Sequence, residues 1–287
     1  MASSECTVVS ETRCFQGSVI KYEHRSETLN CTMRFNAYLP DTRCTLPVLY
    51  FLSGLTCTED NFMQKAGALR YLSDRRIILI CPDTSPRGVD VEGQDAADDL
   101  GTGAGFYVDA TEPQWKDHYR MYSYVTEELP ALVGRHLPVD KTRVSIMGHS
   151  MGGHGALVCA LRNPGKYRSV SGFAAICNPS ECPWGQKAFT AYMGDHRKAW
   201  ADYDATALVK RYTGPALPIL LDQGDQDPFL KKGQLLPERF IRAVEDNPEK
   251  QNLHLDNHMR PGFDHSYYFI QTFIEEHIQF HARHLLA

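Results

Sequence analysis

Positions 148–152 have the sequence GHSMG, which constrains the fold more than any other part of the chain. The β-branched segment 143–147 before it predicts a buried strand, and segment 153–162 after it predicts a helix that ends at the Asn-Pro-Gly of 163–165. A serine on so sharp a strand-to-helix turn needs small residues two positions away on each side, because a larger side chain would collide with the crossing backbone. The turn lifts the hydroxyl above the sheet, at the positive end of a helix. The pattern predicts that Ser150 is a nucleophile on this turn, the nucleophile elbow.

Further strand and helix patterns alternate along the chain. Strands are predicted at 18–23, 31–39, 47–52, 77–81, 143–147, 169–173, 218–222 and 252–256, and helices at 119–136, 153–162, 237–245 and 267–284. This alternation predicts a mostly parallel sheet covered by helices on both faces, with ligands bound at the carboxyl ends of the strands. The chain contains no linker-like segment or internal repeat, so we expect residues 1–287 to form a single domain.

Composition excludes several classes of function. The 287 residues carry a net charge of -5 with scattered Lys and Arg, which argues against a nucleic-acid surface. No apolar run approaches the length of a membrane span, and the first residues lack the pattern of a secretory signal. The nine cysteines include no Cys-x-x-Cys pair and indicate reduced thiols, so we expect a cytoplasmic protein that interacts with neither nucleic acid nor membrane.

A nucleophilic serine needs a histidine to take its proton and a carboxylate to orient that histidine. In sheets of this kind the acid and then the base follow the serine, on loops after later strands. The loop after 218–222 offers Asp222, Asp225 and Asp227; spacing favours Asp227, which precedes a proline, and leaves the other two open. After the last strand a Pro-Gly turn leads to His265, the predicted base.

Other histidines are weaker candidates. His149 and His154 flank the serine, but at such a turn we expect their side chains to point away from it. His254 and His258 lie on the last predicted strand with no third ligand nearby, so no metal site is predicted.

The developing negative charge on the substrate oxygen needs two backbone donors. One is the amide of Met151, directly after the serine, and the other comes from the loop after strand 47–52. In that loop Leu55 is the favoured donor, and Gly54 gives the turn room. The glycine-rich segment 101–105 lacks the pattern of a phosphate-binding loop and is interpreted as a rim of the active site.

Five runs of sequence then suggest a family. They lie at 51–62, 101–111, 148–156, 182–189 and 264–269, and together they resemble the S-formylglutathione hydrolase family, also called the esterase D family. The resemblance extends over nearly the whole chain. It implies an α/β-hydrolase fold, a homodimer, no cofactor, and hydrolysis of S-formylglutathione to glutathione and formate in formaldehyde detoxification.

The resemblance also implies roles for individual residues. By position, Ser150 is the nucleophile, Asp227 the acid and His265 the base, which decides among the three aspartates. Leu55 and Met151 match the positions whose amides bind the oxyanion.

Other residues near the predicted site carry weaker implications. Trp184 matches a family position near the substrate pocket. Cys57 lies two residues after Leu55 in the oxyanion loop, and we hypothesise that alkylation of its thiol blocks catalysis. The carboxylates of glutathione require cationic partners, and Lys65, Arg87 and Lys187 are candidates that the sequence does not rank.

Two other functions remain open at this stage. A general short-chain carboxylesterase or acyltransferase would use the same three side chains, and a ligand receptor could use the fold without catalysis. In each case the partner is a small molecule.

Overall fold

The computed structural model describes residues 6–287, and a nine-stranded sheet runs through them. The strands are β1 (Cys6–Arg13), β2 (Gly17–Ser26), β3 (Cys31–Pro40), β4 (Leu46–Leu52), β5 (Ile78–Pro82), β6 (Val139–His149), β7 (Val170–Phe173), β8 (Leu217–Gly224) and β9 (Leu253–Arg260). Their order is β1-β2-β3-β5-β4-β6-β7-β8-β9. The first three strands form an antiparallel ribbon, and β3 pairs with β5 in antiparallel fashion. The other six strands, β4 to β9, are parallel to one another. The predicted mostly parallel sheet is confirmed.

Helices connect the parallel strands. They are α1 (Asp60–Lys65), α2 (Leu69–Arg75), α3 (Met121–Ser123), α4 (Leu129–His136), α5 (Met151–Arg162), α6 (Pro183–Met193), α7 (Arg197–Trp200), α8 (Ala205–Lys210), α9 (Pro228–Lys231), α10 (Pro237–Glu245) and α11 (Tyr267–Leu285). A π-helical segment at Tyr124–Glu128 joins α3 to α4, and short 3₁₀ turns lie at Pro179–Glu181, Ala201–Tyr203 and Lys250–Asn252. None of the described helices combines the length and apolarity that crossing a bilayer requires.

The order in which strands are added to the sheet reverses at β4. This strand pairs with β5 on one side and with β6 on the other, so the strand after β5 is added on the opposite side of β4. Loops that leave the carboxyl ends of two such strands diverge and open a crevice, which is where ligands bind in sheets of this type. Leu52 and Gly148 are paired at that end of the two strands. The loop after β4 and the turn at Ser150 therefore border the same crevice.

Helices cover both faces of the sheet, as side-chain alternation in β7 shows. The hydroxyl of Ser171 is hydrogen-bonded to His277 and His281 of α11. On the opposite face, a Cβ on the adjacent Gly172 would lie 3.8 Å from Cα of Gly153 in α5. The apolar core fills both layers between helices and sheet.

Several elements differ from the sequence predictions. Helices α1, α2 and α6–α9 were not predicted. Strand β1 was not predicted, because it is an edge strand whose side chains are nearly all exposed and carry no apolar pattern. The helix predicted at 119–136 begins at Met121 and contains the π-helical segment, because the i→i+4 ladder is interrupted there.

Candidate active site

Ser150 lies on the turn between β6 and α5 with φ 58° and ψ -119°, a strained backbone conformation for a residue with a Cβ. Its N–H donates to the carbonyl of Phe173 at 2.9 Å, and its own carbonyl accepts from the amide of Ile176 at 3.2 Å. A Cβ on Gly148 would lie 2.1 Å from the Gly152 carbonyl oxygen, and one on Gly152 would lie 1.9 Å from the Leu52 carbonyl oxygen. The prediction that this turn requires small residues on both sides is confirmed.

His265 and Asp227 form a hydrogen-bonded pair. The Nδ1 atom of His265 lies 2.5 Å from Oδ2 of Asp227, whose side chain is completely buried. Asp227 also accepts from the amides of Phe229 at 2.7 Å and Leu230 at 3.3 Å, and from the Gln223 side chain at 3.1 Å. Burial opposes ionisation of Asp227, but the hydrogen bond and charge of His265, with the other donors, outweigh it and hold the pKa of Asp227 below its ordinary value. An ionised Asp227 accepts a hydrogen bond from the Nδ1–H group of His265, which leaves the unprotonated Nε2 atom of the imidazole free to act as a base.

Ser150 and His265 line one cavity of about 490 Å³ at the carboxyl end of the parallel strands. Its walls come from the loop after β4, the elbow, the start of α6, the acid loop and the start of α11. The lining residues are Gly54, Leu55, Thr56, Cys57, Asp98, Asp99, His149, Ser150, Trp184, Phe229, His265 and Tyr267. Leu55, Cys57 and Trp184, which the sequence placed near the site, therefore lie in the same cavity as Ser150 and His265.

The loop at 53–58 lies directly beside Ser150. A Cβ on Gly54 would be 3.1 Å from Cβ of Ser150, so a side chain here would crowd the serine and push the loop outward. Within the described residues the amide of Leu55 has no hydrogen-bond partner. Met151 is the first residue of α5, so its amide has no acceptor one turn back in the helix. Both amides are therefore available to an oxygen at Ser150.

His149 is the residue for which the sequence-based expectation is wrong. We expected the side chains of His149 and His154 to point away from the serine. His154 does so and is hydrogen-bonded through Nε2 to the carbonyl of Phe106 at 2.8 Å. His149, however, lines the cavity with its ring centroid 4.5 Å from that of His265. The reason is strand alternation, which directs odd-numbered side chains of β6 toward the face covered by α11.

Aromatic rings form one wall of the cavity. Phe229 bridges Trp184 and His265, with its ring centroid 4.7 Å from each of theirs. Sequence analysis missed Phe229 and Tyr267, although each lies two residues after a member of the Asp–His pair. Asp98 and Asp99 were missed because nothing in their local sequence marks them. The glycine-rich segment after them, interpreted as a rim, does not itself line the cavity; Gly103 instead accepts a hydrogen bond from the amide of Thr56 at 2.9 Å.

The candidate cations differ in position. Arg87 faces away from the cavity and is bonded to Asp83 at 2.9 Å and to the carbonyl of Cys57 at 3.1 Å. Lys187 forms an ion pair with Asp99, a cavity residue. The ammonium group of Lys65 lies 5.7 Å from the ring centroid of Tyr267.

A cluster of ligand-type side chains lies on β8, β9 and α11, outside this cavity. His258 and Arg260 are bonded to the buried carboxylate of Asp222 at 2.8 and 2.7 Å, and Arg260 also reaches Glu276 at 2.5 Å. We predicted no third ligand near His258, which is wrong, because the carboxylates of Asp222, Asp256 and Glu276 lie near it. Burial opposes the charge on Asp222, but His277, Arg260 and His258 lower its pKa to about 2. Because the Arg260 guanidinium bonds the carboxylates of Asp222 and Glu276, ion pairing accounts for this cluster.

The mostly parallel sheet, the serine on its strand-to-helix turn and the crevice beside β4, where the order of the strands reverses, are the features of an α/β-hydrolase. Comparison with known proteins gives the family. Residues 26–280 match the family described as "Putative esterase". S-formylglutathione hydrolase of Rattus norvegicus is 54% identical over 287 residues, 99% of this chain and 100% of the relative, and that of Arabidopsis thaliana is 50% identical over 99% of each. The solved structure of an S-formylglutathione hydrolase from Agrobacterium tumefaciens has a TM-score of 0.92 at 45% identity, covering 97% of this chain and 99% of that one. The chain belongs to the S-formylglutathione hydrolase family, and the α/β-hydrolase fold expected from the resemblance is confirmed.

Proposed function

We propose that this protein hydrolyses the thioester S-formylglutathione to glutathione and formate. The proposal is carried by one observation, the Asp227–His265 pair and Ser150 at a single cavity, in a chain whose relatives at 50–55% identity bear the name of that activity.

The reaction proceeds in two steps. Nε2 of His265 takes the hydroxyl proton of Ser150 while Oγ forms a bond to the formyl carbon. The C–S bond then breaks, and the leaving thiolate takes that proton from His265, so glutathione departs and the imidazole is neutral again. Water next transfers a proton to His265 and attacks the formyl-serine, which releases formate and restores the hydroxyl. Asp227 holds the imidazole in the required tautomer and stabilises its protonated form.

The oxyanion of both tetrahedral intermediates is bound by the amides of Leu55 and Met151. Loss of one such donor typically costs on the order of 10²–10³ in turnover. The closeness of Gly54 to Ser150 supports this assignment, because it brings the loop of Leu55 beside the reacting carbon.

Steady-state kinetics test the proposal. We expect a kcat/KM for S-formylglutathione well above that for 4-nitrophenyl acetate, because a formyl group needs little room at Ser150. Ser150→Ala should lower turnover by roughly 10⁶ and abolish fluorophosphonate labelling. Ser180→Ala, at a residue outside the cavity, is the matched control and should retain both. Turnover of the Ser150 variant close to that of the unmodified protein would end the proposal.

A general short-chain carboxylesterase is the second candidate, supported by the match to an esterase family. It requires the opposite preference, with the acetate ester hydrolysed at least as efficiently as the formyl thioester. An acyltransferase would give ester products when alcohols are added.

The proposal also includes the number of domains, the oligomeric state and the cellular location. Participation of all nine strands in one sheet supports a single domain over 1–287. The family resemblance supports a homodimer, which sedimentation equilibrium tests. The nine cysteines all lie within the described residues and are free thiols, which supports a cytoplasmic location.

A further inference from the structure

Charged side chains are unevenly placed at the cavity. Asp98 and Asp99 line it, and the nearest partner of Asp99 is Lys187 on α6. Lys187 lies three residues after Trp184, so the two side chains share a face of that helix, and Trp184 lines the cavity. The ion pair of Asp99 and Lys187 therefore stands at the aromatic side of the cavity.

The loop that carries Asp99 is fixed by the same helix. The hydroxyl of Tyr192 on α6 accepts from the amide of Gly101 at 2.9 Å and donates to the carbonyl of Ala104 at 2.8 Å. Tyr192 is completely buried, so neither bond competes with water. Both charges are thus presented from one rigid unit, and substrate binding would not have to order them.

We propose that Asp99 and Lys187 bind the zwitterionic amino-acid end of the glutathione moiety, which rests on the proposed function. The γ-glutamyl end carries an ammonium and a carboxylate on one carbon. Asp99, with Asp98 beside it, accepts the ammonium, and Lys187 donates to the carboxylate.

The energetics of the pair allow this exchange. The side chains of Lys187 and Asp99 are 44% and 25% exposed, and an ion pair with that much exposure contributes little to stability because solvent screens it. A bound zwitterion keeps both charges paired, so little is lost when it inserts between them.

Another side chain supports a polar ligand in this cavity. His149 is 6% exposed and lines the cavity, and neither ring nitrogen has a hydrogen-bond partner among the described residues. Burial, with the nearby His265, lowers the pKa of His149 well below its ordinary value. The ring is therefore neutral and offers one donor and one acceptor. By contrast, Arg87 is already bonded to Asp83 and to a backbone carbonyl, which removes it from the candidates for the carboxylates.

The test pairs a charge removed from the protein with a charge removed from the substrate. In Asp99→Asn we expect KM for S-formylglutathione to rise about tenfold, equivalent to about 1.4 kcal/mol, with a much smaller change in kcat. N-acetyl-S-formylglutathione lacks the ammonium and should be a correspondingly poorer substrate of the unmodified protein. The Asp99 variant should no longer distinguish the two thioesters. Asp202→Asn, in the exposed ion pair with Arg211 away from the cavity, is the matched control.

Equal effects of Asp99→Asn on both thioesters, or no effect on either, would overturn the inference. A second measurement separates it from the proposed function: glutathione as a competitive inhibitor of 4-nitrophenyl acetate hydrolysis. Lys187→Gln should raise the inhibition constant of glutathione about tenfold. An enzyme that splits acetate esters and not the formyl thioester, yet is inhibited by glutathione in this way, would refute the proposed function and keep the binding site. No inhibition of the unmodified protein by glutathione would refute the binding site.

Discussion

Asp227 accepts four hydrogen bonds, more than the orientation of one imidazole requires. Besides His265 it caps the start of α9 through the amides of Phe229 and Leu230 and accepts from Gln223. Because the carboxylate is held from several sides, it cannot rotate away from the imidazole. The same carboxylate also fixes Phe229, which forms part of the cavity wall.

Asp227→Asn should therefore lower kcat strongly without preventing folding. An amide can still accept from the backbone, but it favours the wrong tautomer of His265, and the analogous change in a serine protease costs about 10⁴ in kcat. Single-turnover kinetics and circular dichroism measure the two properties. Asp225→Asn, at a half-buried carboxylate that accepts from the amide of Gly262, is the control and should retain most activity. Similar kcat values for the two variants would contradict the assignment.

Cys57 should react slowly with maleimides, and its alkylation should inactivate the enzyme. Burial raises the pKa of its thiol, and only the thiolate attacks maleimides, so inactivation should quicken about tenfold per pH unit between pH 7 and pH 8. Because Cys57 lines the cavity, its alkylation should remove activity, whereas alkylation of the exposed Cys44 should not. Timed inactivation of Cys57→Ser and Cys44→Ser separates them. If mass spectrometry shows that Cys57 is alkylated and the protein keeps full activity, the hypothesis is excluded.

Sequence spacing identified the acid loop, but three-dimensional contacts separate its aspartates. Asp222 ends its strand with the side chain bonded to His258 and Arg260, and Asp225 bonds a backbone amide of the neighbouring loop. Of these three, Asp227 is the one hydrogen-bonded to His265. No local pattern carries this information, because the partners lie 36–38 residues away.

At the scale of elements, the loop after β4 is supported from behind by charges. The carbonyl of Cys57 accepts from Thr84 Oγ1 at 2.5 Å and from Arg87 at 3.1 Å, and Asp83 in turn holds Arg87. Thr56 within this loop has φ 66°, a left-handed conformation that costs energy for a β-branched residue. The surrounding hydrogen bonds thus hold a strained loop in place.

Arg87→Met should loosen this loop and misplace the amide of Leu55. We expect kcat for S-formylglutathione to fall about tenfold, part of the 10²–10³ expected for full loss of an oxyanion donor, with a smaller change in KM. Arg87→Lys, which keeps one donor, should recover part of the loss. A rise in KM alone would instead place Arg87 in substrate binding.

Element prediction succeeded for strands with continuous apolar runs and for the most amphipathic helices, and it missed the exposed β1 and the helices α1, α2 and α6–α9. Strands β4 and β5 are fully buried and were found within a residue or two, as was the amphipathic α10. The exposed β1 gives no such signal. The elbow was predictable because the motif itself contains the two glycines that avoid a clash with the crossing backbone. The orientation of His149 was not, because it depends on which face of β6 is covered by α11.

At the scale of the whole molecule, a buried polar chain joins α11 to the sheet. His277 and His281 are hydrogen-bonded to Ser171, and His281 continues through Ser169 to Ser145 at 2.8 Å per step. His277 also stacks on Phe173, with a centroid distance of 3.6 Å. Phe173 supplies the carbonyl that holds the amide of Ser150, so this network lies one residue from the elbow.

Mild acid should destabilise the protein. Burial lowers the pKa of His149, His154, His277 and His281, that of His154 to about 4. The unfolded chain takes up protons below its ordinary histidine pKa of about 6.5, and the folded chain does not, so the free energy of unfolding falls by up to about 1.4 kcal/mol per histidine per pH unit below that value. Asp222, with its pKa lowered to about 2, adds a loss only below about pH 4. Urea unfolding at pH 7, 6 and 5 measures the slope, which His281→Asn should reduce. A free energy constant from pH 7 to pH 5 would contradict this origin.

Strand β9 lies at one edge of the sheet, pairs with β8 alone and has half of its side chains exposed. His265, the proposed base, lies in the loop that follows this strand. Local unfolding of this edge strand would displace His265 and stop turnover while the core stayed folded. Catalysis should therefore be lost at a lower denaturant concentration than the far-ultraviolet dichroism of the helices. Re-formation of the β8–β9 pairing alone should restore activity.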